Sequence, residues 1–174
     1  MRLRLNLSGV DVQLKINDWH KPNKNADWDD WCYVELVLIG NYLNYSVSSE
    51  ILTSGEVLNL CDRLEELLSG KLKEDMHICF MEPDLEFNLS VAKRLYDIPG
   101  KVTYRDGYMD VDIEGDWIIN FWCDDGLGYN SFKMGLSRAD LEDICNYLKY
   151  VVGRCCRDDS SILAMLKEGR LLPE

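Results

Sequence analysis

The sequence has little histidine, few basic residues and no long apolar run. Two histidines in 174 residues leave little material for a metal centre or a histidine-activated nucleophile. No apolar run approaches the roughly eighteen residues that a membrane-spanning helix needs. Met1–Leu7 alternates polar and apolar residues, whereas a secretory signal would need a continuous apolar stretch and a small-residue cleavage site. We therefore expect neither a membrane span nor a secretory signal, and Met1–Leu7 is predicted to be the first strand.

The seven cysteines also lack the pattern of a disulfide framework. Their number is odd, and most stand at apolar positions within strand or helix patterns. A free thiol at such a position behaves as a small hydrophobe. Together with the missing signal, this predicts free thiols and a cytoplasmic location.

Positive charge is scarce in this sequence. Acidic residues outnumber basic ones, with 31 aspartates and glutamates against 19 lysines and arginines, which gives a net charge of −12. Such a charge disfavours binding to nucleic acid or to an anionic membrane. A basic protein is the partner that the charge favours, although acidity is also common in proteins without one. The oligomeric state is left open by the sequence.

Alternating apolar residues predict β-hairpins along most of the chain. The first hairpin turns at Ser8-Gly9, and the second joins strands over 31–39 and 42–48 at Gly40-Asn41. A polar loop over 17–30 separates them. Further strands are predicted over 76–80, 85–91 and 128–136, with another hairpin between 108–114 and 117–123 through Gly115-Asp116.

Two amphipathic helices are predicted over about 53–68 and 137–152. Thr53 and Ser137 each precede an acidic residue by three positions, which is the spacing of a capping box. Apolar residues then recur at helical spacing. A tail over residues 153–174 contains a third, short helix.

The order of these elements predicts the fold class. Consecutive strands are joined by short turns, which favours antiparallel pairing over parallel crossovers. We expect one α+β domain over residues 1–174, with antiparallel sheets built from hairpins and covered by the two longer helices.

The stretch 106–125 is the most unusual local feature, since it holds seven acidic residues and no lysine or arginine. Tyr108, Asp110, Asp112 and Glu114 alternate with apolar residues, so a strand would place them on one face as an acidic ladder. Like charges on one face repel, and a cationic partner would relieve that cost. The competing interpretation is an ordinary solvated strand face. The residues predicted to bind a partner here are Tyr108, Asp110, Asp112, Glu114, Asp124 and Asp125.

No catalytic, metal or cofactor motif is recognised. The run from Asp110 to Gly115 matches the opening of a calcium loop, but Phe121 occupies the position of the bidentate glutamate. Gly126-Leu-Gly128 is not a dinucleotide fingerprint, and no nucleophile elbow or phosphate-binding lysine loop occurs. We predict a protein that is not an enzyme and needs no cofactor or metal.

Tryptophans in the 17–30 loop are the second candidate for partner binding. Trp19 and Trp28 lie in a polar setting, where an amphipathic ring can anchor an interface. They could equally fold back to cover the end of the sheet.

Three segments resemble the WapI-like immunity proteins of bacterial contact-dependent toxin systems. They are Trp28-Asp-Asp-Trp31 with the strand to Ile39, the helix Thr53–Leu68 leading to Glu82–Leu89, and Leu136–Leu141 with the helix that follows. The resemblance spans roughly residues 27–152. It implies a bacterial, intracellular antidote that binds and neutralises a toxin domain, for example a nuclease, without catalysis. The alternative is a structural or adaptor domain that uses the tryptophan loop on an apolar partner.

Overall fold

A computed structural model describes residues 1–22, 30–91, 93–94, 110–111, 113–122 and 129–173. Within these residues the chain forms antiparallel sheets and three helices, which confirms the predicted α+β class. The helices are α1 Ser54–Leu68, α2 Arg138–Val151 and α3 Ser160–Lys167. The strands are β1 Arg2–Leu7, β2 Val10–Asn17, β3 Trp31–Ile39, β4 Asn44–Thr53, β5 Met76–Cys79, β6 Leu85–Ser90, β7 Lys93–Arg94, β8 Asp110–Val111, β9 Glu114–Trp122, β10 Tyr129–Leu136 and β11 Leu171–Leu172.

The five-stranded sheet has the order β11-β1-β2-β3-β4, and the first predicted hairpin forms its centre. Ser8 and Gly9 both have positive φ, 54° and 85°, as a two-residue hairpin turn requires. The second hairpin also forms, but its turn is longer than the sequence suggested. Gly40 N donates to Leu43 O at 2.7 Å, so β4 begins at Asn44.

The four-stranded sheet has the order β10-β9-β6-β5 and corrects one prediction. Gly115 and Asp116 do not form a hairpin turn, because β9 runs straight through both residues. Gly115 is needed for close packing instead. A Cβ built on it would lie 2.9 Å from Asn88 O and 3.2 Å from Leu141 Cδ2. Glycine therefore permits a close approach of strands and helix here, a role that a sequence pattern cannot distinguish from a turn.

Both predicted capping boxes are confirmed. Thr53 Oγ1 accepts from Glu56 N at 3.2 Å, and the Glu56 carboxylate accepts from Thr53 N at 2.8 Å. Ser137 and Asp140 repeat the arrangement at the start of α2. Each pair satisfies amides of the first helical turn that have no partner within the helix.

Helix α2 contacts both sheets and packs along α1. It lies against β1 of the five-stranded sheet and against β9 and β10 of the four-stranded sheet. Tyr147 Oη accepts a buried hydrogen bond from Ile16 N of β2 at 2.8 Å. Buried residues from both sheets and from all three helices form one apolar cluster.

The tail adds an edge strand that the sequence did not predict. Leu171 and Leu172 of β11 pair with Leu3 and Arg2 of β1. A strand of two residues has too few positions for alternation to be recognised. No helix in the described part of the chain is long and apolar enough to cross a membrane.

Candidate functional site

The outer face of the four-stranded sheet carries a connected set of polar side chains, which we call the polar face. It arises from the alternation of side chains along each strand. Phe87 and Trp117 point inward, where their rings stack with centroids 5.3 Å apart, and their neighbours along the strands point outward. The register sets the outward residues side by side across strands, for example Asn88 opposite Asp116. The polar face consists of His77, Glu86, Asn88, Glu114, Asp116, Asn120, Ser131 and Lys133.

Hydrogen bonds connect the polar face across all four strands. Ser131 Oγ donates to Asn120 Oδ1 at 2.7 Å, and Asn120 Nδ2 donates to Glu86 Oε1 at 2.7 Å. Glu86 Oε2 lies 3.3 Å from His77 Nε2, and His77 Nδ1 lies 2.7 Å from Asn88 Oδ1. The side chains of this network are therefore held in fixed positions relative to one another.

Asn120 is the centre of this network and is itself only 1% exposed. Its amide also donates to the carbonyl oxygen of Pro83 at 2.5 Å, so both ends of the side chain have partners. A buried amide with satisfied donors and acceptor is stable in the sheet, whereas an unsatisfied one would be costly. Asn120 thus fixes Glu86 and Ser131 relative to each other.

The charge of the polar face is negative. Glu86, Glu114 and Asp116 are its acids, and Lys133 is its lysine, with Nζ 2.6 Å from Asp116 Oδ2. Glu114 is exposed and has no ion-pair partner among the described residues.

The outer face of the five-stranded sheet is different, because its acidic and basic side chains balance in number. The bases are Arg2, Arg4 and Lys15, and the acids are Asp11, Glu35 and Glu50. Arg4 Nε lies 2.8 Å from Asp11 Oδ1, and Arg2 Nη2 lies 2.6 Å from Glu35 Oε2. The Arg4 guanidinium lowers the pKa of the Asp11 carboxyl, mainly through this hydrogen bond. A face whose charges neutralise one another attracts a charged partner weakly. Between the two sheets, the polar face is the better candidate for binding a basic surface.

The predicted ladder reaches the polar face at Glu114. Ile113 is buried and Glu114 is exposed, as the predicted alternation requires, and Asp116 continues the same outward set. The backbone of Asp110 pairs with Arg94 through β8 and β7. Of the other predicted partner-binding residues, Tyr108, Asp112, Asp124, Asp125 and Trp28 lie outside the described residues.

Trp19 has a structural contact. Its Nε1 donates to Ser54 O at 3.0 Å, and its ring packs against the apolar core. Ser54 is buried, and its hydroxyl accepts from His20 N at 3.3 Å. Trp19 therefore attaches the chain after β2 to the start of α1.

Nothing local in the sequence indicated the network of the polar face. His77 and Cys79 have only the spacing of a possible metal pair on one strand. Within the described residues no group of three histidine, cysteine, aspartate or glutamate side chains is placed to hold a metal ion. Glu86 and Asn120 are far apart in sequence, and only the pairing of β6 with β9 brings them together. Alternation within each strand shows which side chains point outward, but it does not show which strands are neighbours.

Comparison with known proteins gives one match. No curated protein and no solved structure matches the chain. The model of the immunity protein WapI-like family matches residues 3–155. These residues run from β1 through the end of α2, so the match includes the polar face and leaves out α3 and β11. The chain belongs to the WapI-like family of immunity proteins.

Proposed function

We propose that this chain is an immunity protein that binds a cognate toxin domain and neutralises it without catalysing a reaction. Membership of the WapI-like family supports the immunity role. The observation that carries the choice of surface is the net negative charge of the polar face, where Asn120 holds Glu86 and Lys133 holds Asp116 in place.

The partner surface extends from Glu114 along the acidic ladder. The structure places Asp110 on β8 and Glu114 at the start of β9, two strands of different sheets, so the ladder is not one continuous strand. Tyr108, Asp110, Asp112 and Glu114 keep the alternate spacing in the sequence, and we propose that they extend one acidic surface. Asp124 and Asp125 follow at the far end of the acidic stretch. These carboxylates would attract a basic surface electrostatically, so they favour a partner with several exposed lysines or arginines.

A toxin that acts on nucleic acid would offer such a surface. Proteins that bind nucleic acid use lysine and arginine to neutralise phosphates. An acidic immunity protein can occupy the same cationic groove, which blocks the substrate and speeds association electrostatically.

The role is tested by growth. Where a large secreted protein is encoded beside this chain, cells would express its C-terminal domain, with and without the chain itself. Growth arrest that this chain relieves is the expected result. Arrest without relief, or a neighbouring domain that is not toxic, would refute the antidote role.

The surface is tested by association kinetics with that domain. In Asp110→Lys/Asp112→Lys and in Glu114→Lys, we expect association about tenfold slower at low salt, with less effect at high salt. The matched control is Asp158→Lys, an exposed carboxylate on the turn before α3, which should change little. If Asp158→Lys slowed association as much as Glu114→Lys, the net charge of the protein and not this surface would determine the association rate. Association that is insensitive to salt and lost in Trp28→Ala would favour the adaptor alternative.

A further inference from the structure

Strand β4 forms an open edge of the five-stranded sheet. Its backbone pairs with β3 on one side, and no strand in the described part of the chain pairs with its other side. Residues 44–50 keep an unbroken register with β3, and the register then shifts by one residue at Ile51. A row of unpaired N–H and C=O groups of this length can accept a further strand.

The other outer strands of the two larger sheets have features that discourage such pairing. β11 has two residues and β5 has four, so each offers few backbone groups. β10 has eight residues but contains Lys133, and lysine is a residue that protects sheet edges. β4 has ten residues and contains no lysine, arginine or proline. It is therefore the least protected edge among the described strands.

The side chains along this edge are small and nearly uncharged. Ser46, Ser48 and Ser49 are exposed, and their size lets a second backbone approach closely. Glu50 is the one charged residue of β4. Because the acids and bases on the outer face of this sheet balance in number, the excess negative charge of the chain lies elsewhere. This edge thus fits a neutral partner better than a basic one.

The segment 44–50 is complementary to a second copy of itself. In an antiparallel pair with a two-fold axis at Val47, each residue stands opposite the one equally far on the other side of Val47. No like charges then face each other, and the large Tyr45 ring meets a small serine. The opposed pairs are Asn44 with Glu50, Tyr45 with Ser49, and Ser46 with Ser48.

Tyr42 supplies an apolar contact at each end of this arrangement. Its side chain is fully exposed in the single chain, two residues before the segment begins. The same two-fold axis brings it beside the second copy, just beyond Glu50 of that copy. A tyrosine ring covered in this way adds apolar contact to the backbone hydrogen bonds of the paired strands.

We propose that the chain forms a two-fold symmetric dimer in which β4 pairs antiparallel with β4 of a second copy over residues 44–50. The two five-stranded sheets then become one continuous sheet. A two-fold interface uses the same patch on both copies, so assembly stops at the dimer. The paired segment is short and polar, and we expect a dissociation constant of about 1 to 100 µM.

The dimer is tested by sedimentation equilibrium on the full chain alone, so its failure is separate from any failure of the immunity role. The average mass should rise from 20.2 kDa towards twice that value as the concentration increases. Ser48→Lys should weaken dimerisation at least about tenfold, because it adds an edge lysine that lies near its own symmetry mate. A mass of 20.2 kDa at every concentration up to about 200 µM would overturn the proposal.

The control separates the edge from the net charge. Ser48→Lys changes the net charge from −12 to −11, which by itself would favour association between two acidic chains. Asn130→Lys makes the same change at an exposed position of β10 and should dimerise as well as the wild type. Melting temperatures confirm that both variants are folded. Dimerisation of Ser48→Lys equal to that of Asn130→Lys would overturn the proposal.

The register is tested by cross-linking. In a chain whose exposed thiols are removed by Cys79→Ser and Cys156→Ser, the pair Ser46→Cys/Ser48→Cys is oxidised mildly and mapped by mass spectrometry. We expect a disulfide that joins position 46 of one copy to position 48 of the other, because opposed residues are close enough for one. Ser46→Cys alone faces a serine and should not cross-link. Equal cross-linking in the single and double variants, or none in either, would overturn this pairing.

Discussion

Asp143, on the buried face of α2, is ion-paired to Arg170, which lies between α3 and β11. Arg170 Nη1 lies 2.5 Å from Asp143 Oδ2, and the aspartate side chain is 6% exposed. Burial raises the pKa of Asp143, although the hydrogen bond and charge of Arg170 act to lower it. Arg170 O also accepts from Arg4 N at 2.8 Å. One residue of the tail therefore compensates a buried charge and bonds to β1.

Arg170→Gln should destabilise the protein by about 2 kcal/mol at pH 7. Breaking a buried pair leaves an uncompensated charge, and the penalty is smaller here than for a fully buried pair because the Arg170 side chain is partly exposed. The measurement is urea unfolding. Arg157→Gln is the control, because Arg157 is exposed with no ion-pair partner among the described residues, and its loss should be within error. Equal losses in both variants would show that the pair contributes nothing specific.

The loss of stability in Arg170→Gln should become smaller at acidic pH. Because the pKa of Asp143 is raised in the folded protein, stability from this group falls as pH rises from about 3.9, the unfolded value, through the folded value. Losing Arg170 raises the folded pKa further. The difference between wild type and Arg170→Gln should therefore shrink as pH is lowered from 7 towards 4, measured by unfolding at each pH. A constant difference would mean that Asp143 is not the group responsible.

Tyr147→Phe should cost about 1 to 2 kcal/mol of stability. The hydroxyl of Tyr147 is the acceptor for the buried Ile16 N, and removing it leaves that amide without this partner. Tyr150→Phe, one turn further along α2, is the control. Its hydroxyl makes no hydrogen bond within the described residues, and we expect a change below about 0.5 kcal/mol. Chemical unfolding of both variants tests the difference.

Gly115→Ala should lower stability by about 2 kcal/mol, because the new methyl group would meet Asn88 O at 2.9 Å inside the sheet. Gly135→Ala, in the neighbouring strand β10, is the control. No atom lies within 4 Å of the place that its methyl group would take, so this change should be neutral or slightly stabilising. The melting temperatures of the two variants are compared with that of the wild type, and only Gly115→Ala should melt at a lower temperature. A tolerated substitution there would contradict the close packing.

Trp19→Phe should reduce stability by about 1 kcal/mol and leave toxin association unchanged. The phenylalanine ring keeps part of the packing but cannot donate to Ser54 O. Unfolding and association are measured on the same preparation. Slower association with unchanged stability would instead make Trp19 part of the interface.

Local signals in the sequence were sufficient for most of the elements. The capping boxes at Thr53 and Ser137 fixed the starts of α1 and α2, because the interaction involves residues three positions apart. The turn at Ser8-Gly9 was equally local. Gly115 was mistaken for a turn because its constraint comes from Asn88 and Leu141, which are distant along the chain.

The candidate site was less predictable for the same reason. Alternation placed Glu114 on an outward face, but nothing local indicated that Asn120 would be buried between Glu86 and Ser131. Asp143 was likewise missed, since a lone acid in a helical pattern is normally a solvated residue. Its partner Arg170 lies in the C-terminal tail, beyond the residues that the family model matches.

The position of α2 against both sheets has a consequence for how the molecule unfolds. Tyr147 ties this helix to β2, while Leu141 lies against Gly115 of β9, so neither sheet can lose its order without uncovering the same helix. The two sheets should therefore unfold cooperatively, in one transition rather than two. Their slowest-exchanging amides would then report the same global opening. Strain introduced at the polar face would in that case be shared with the five-stranded sheet on the other side of α2.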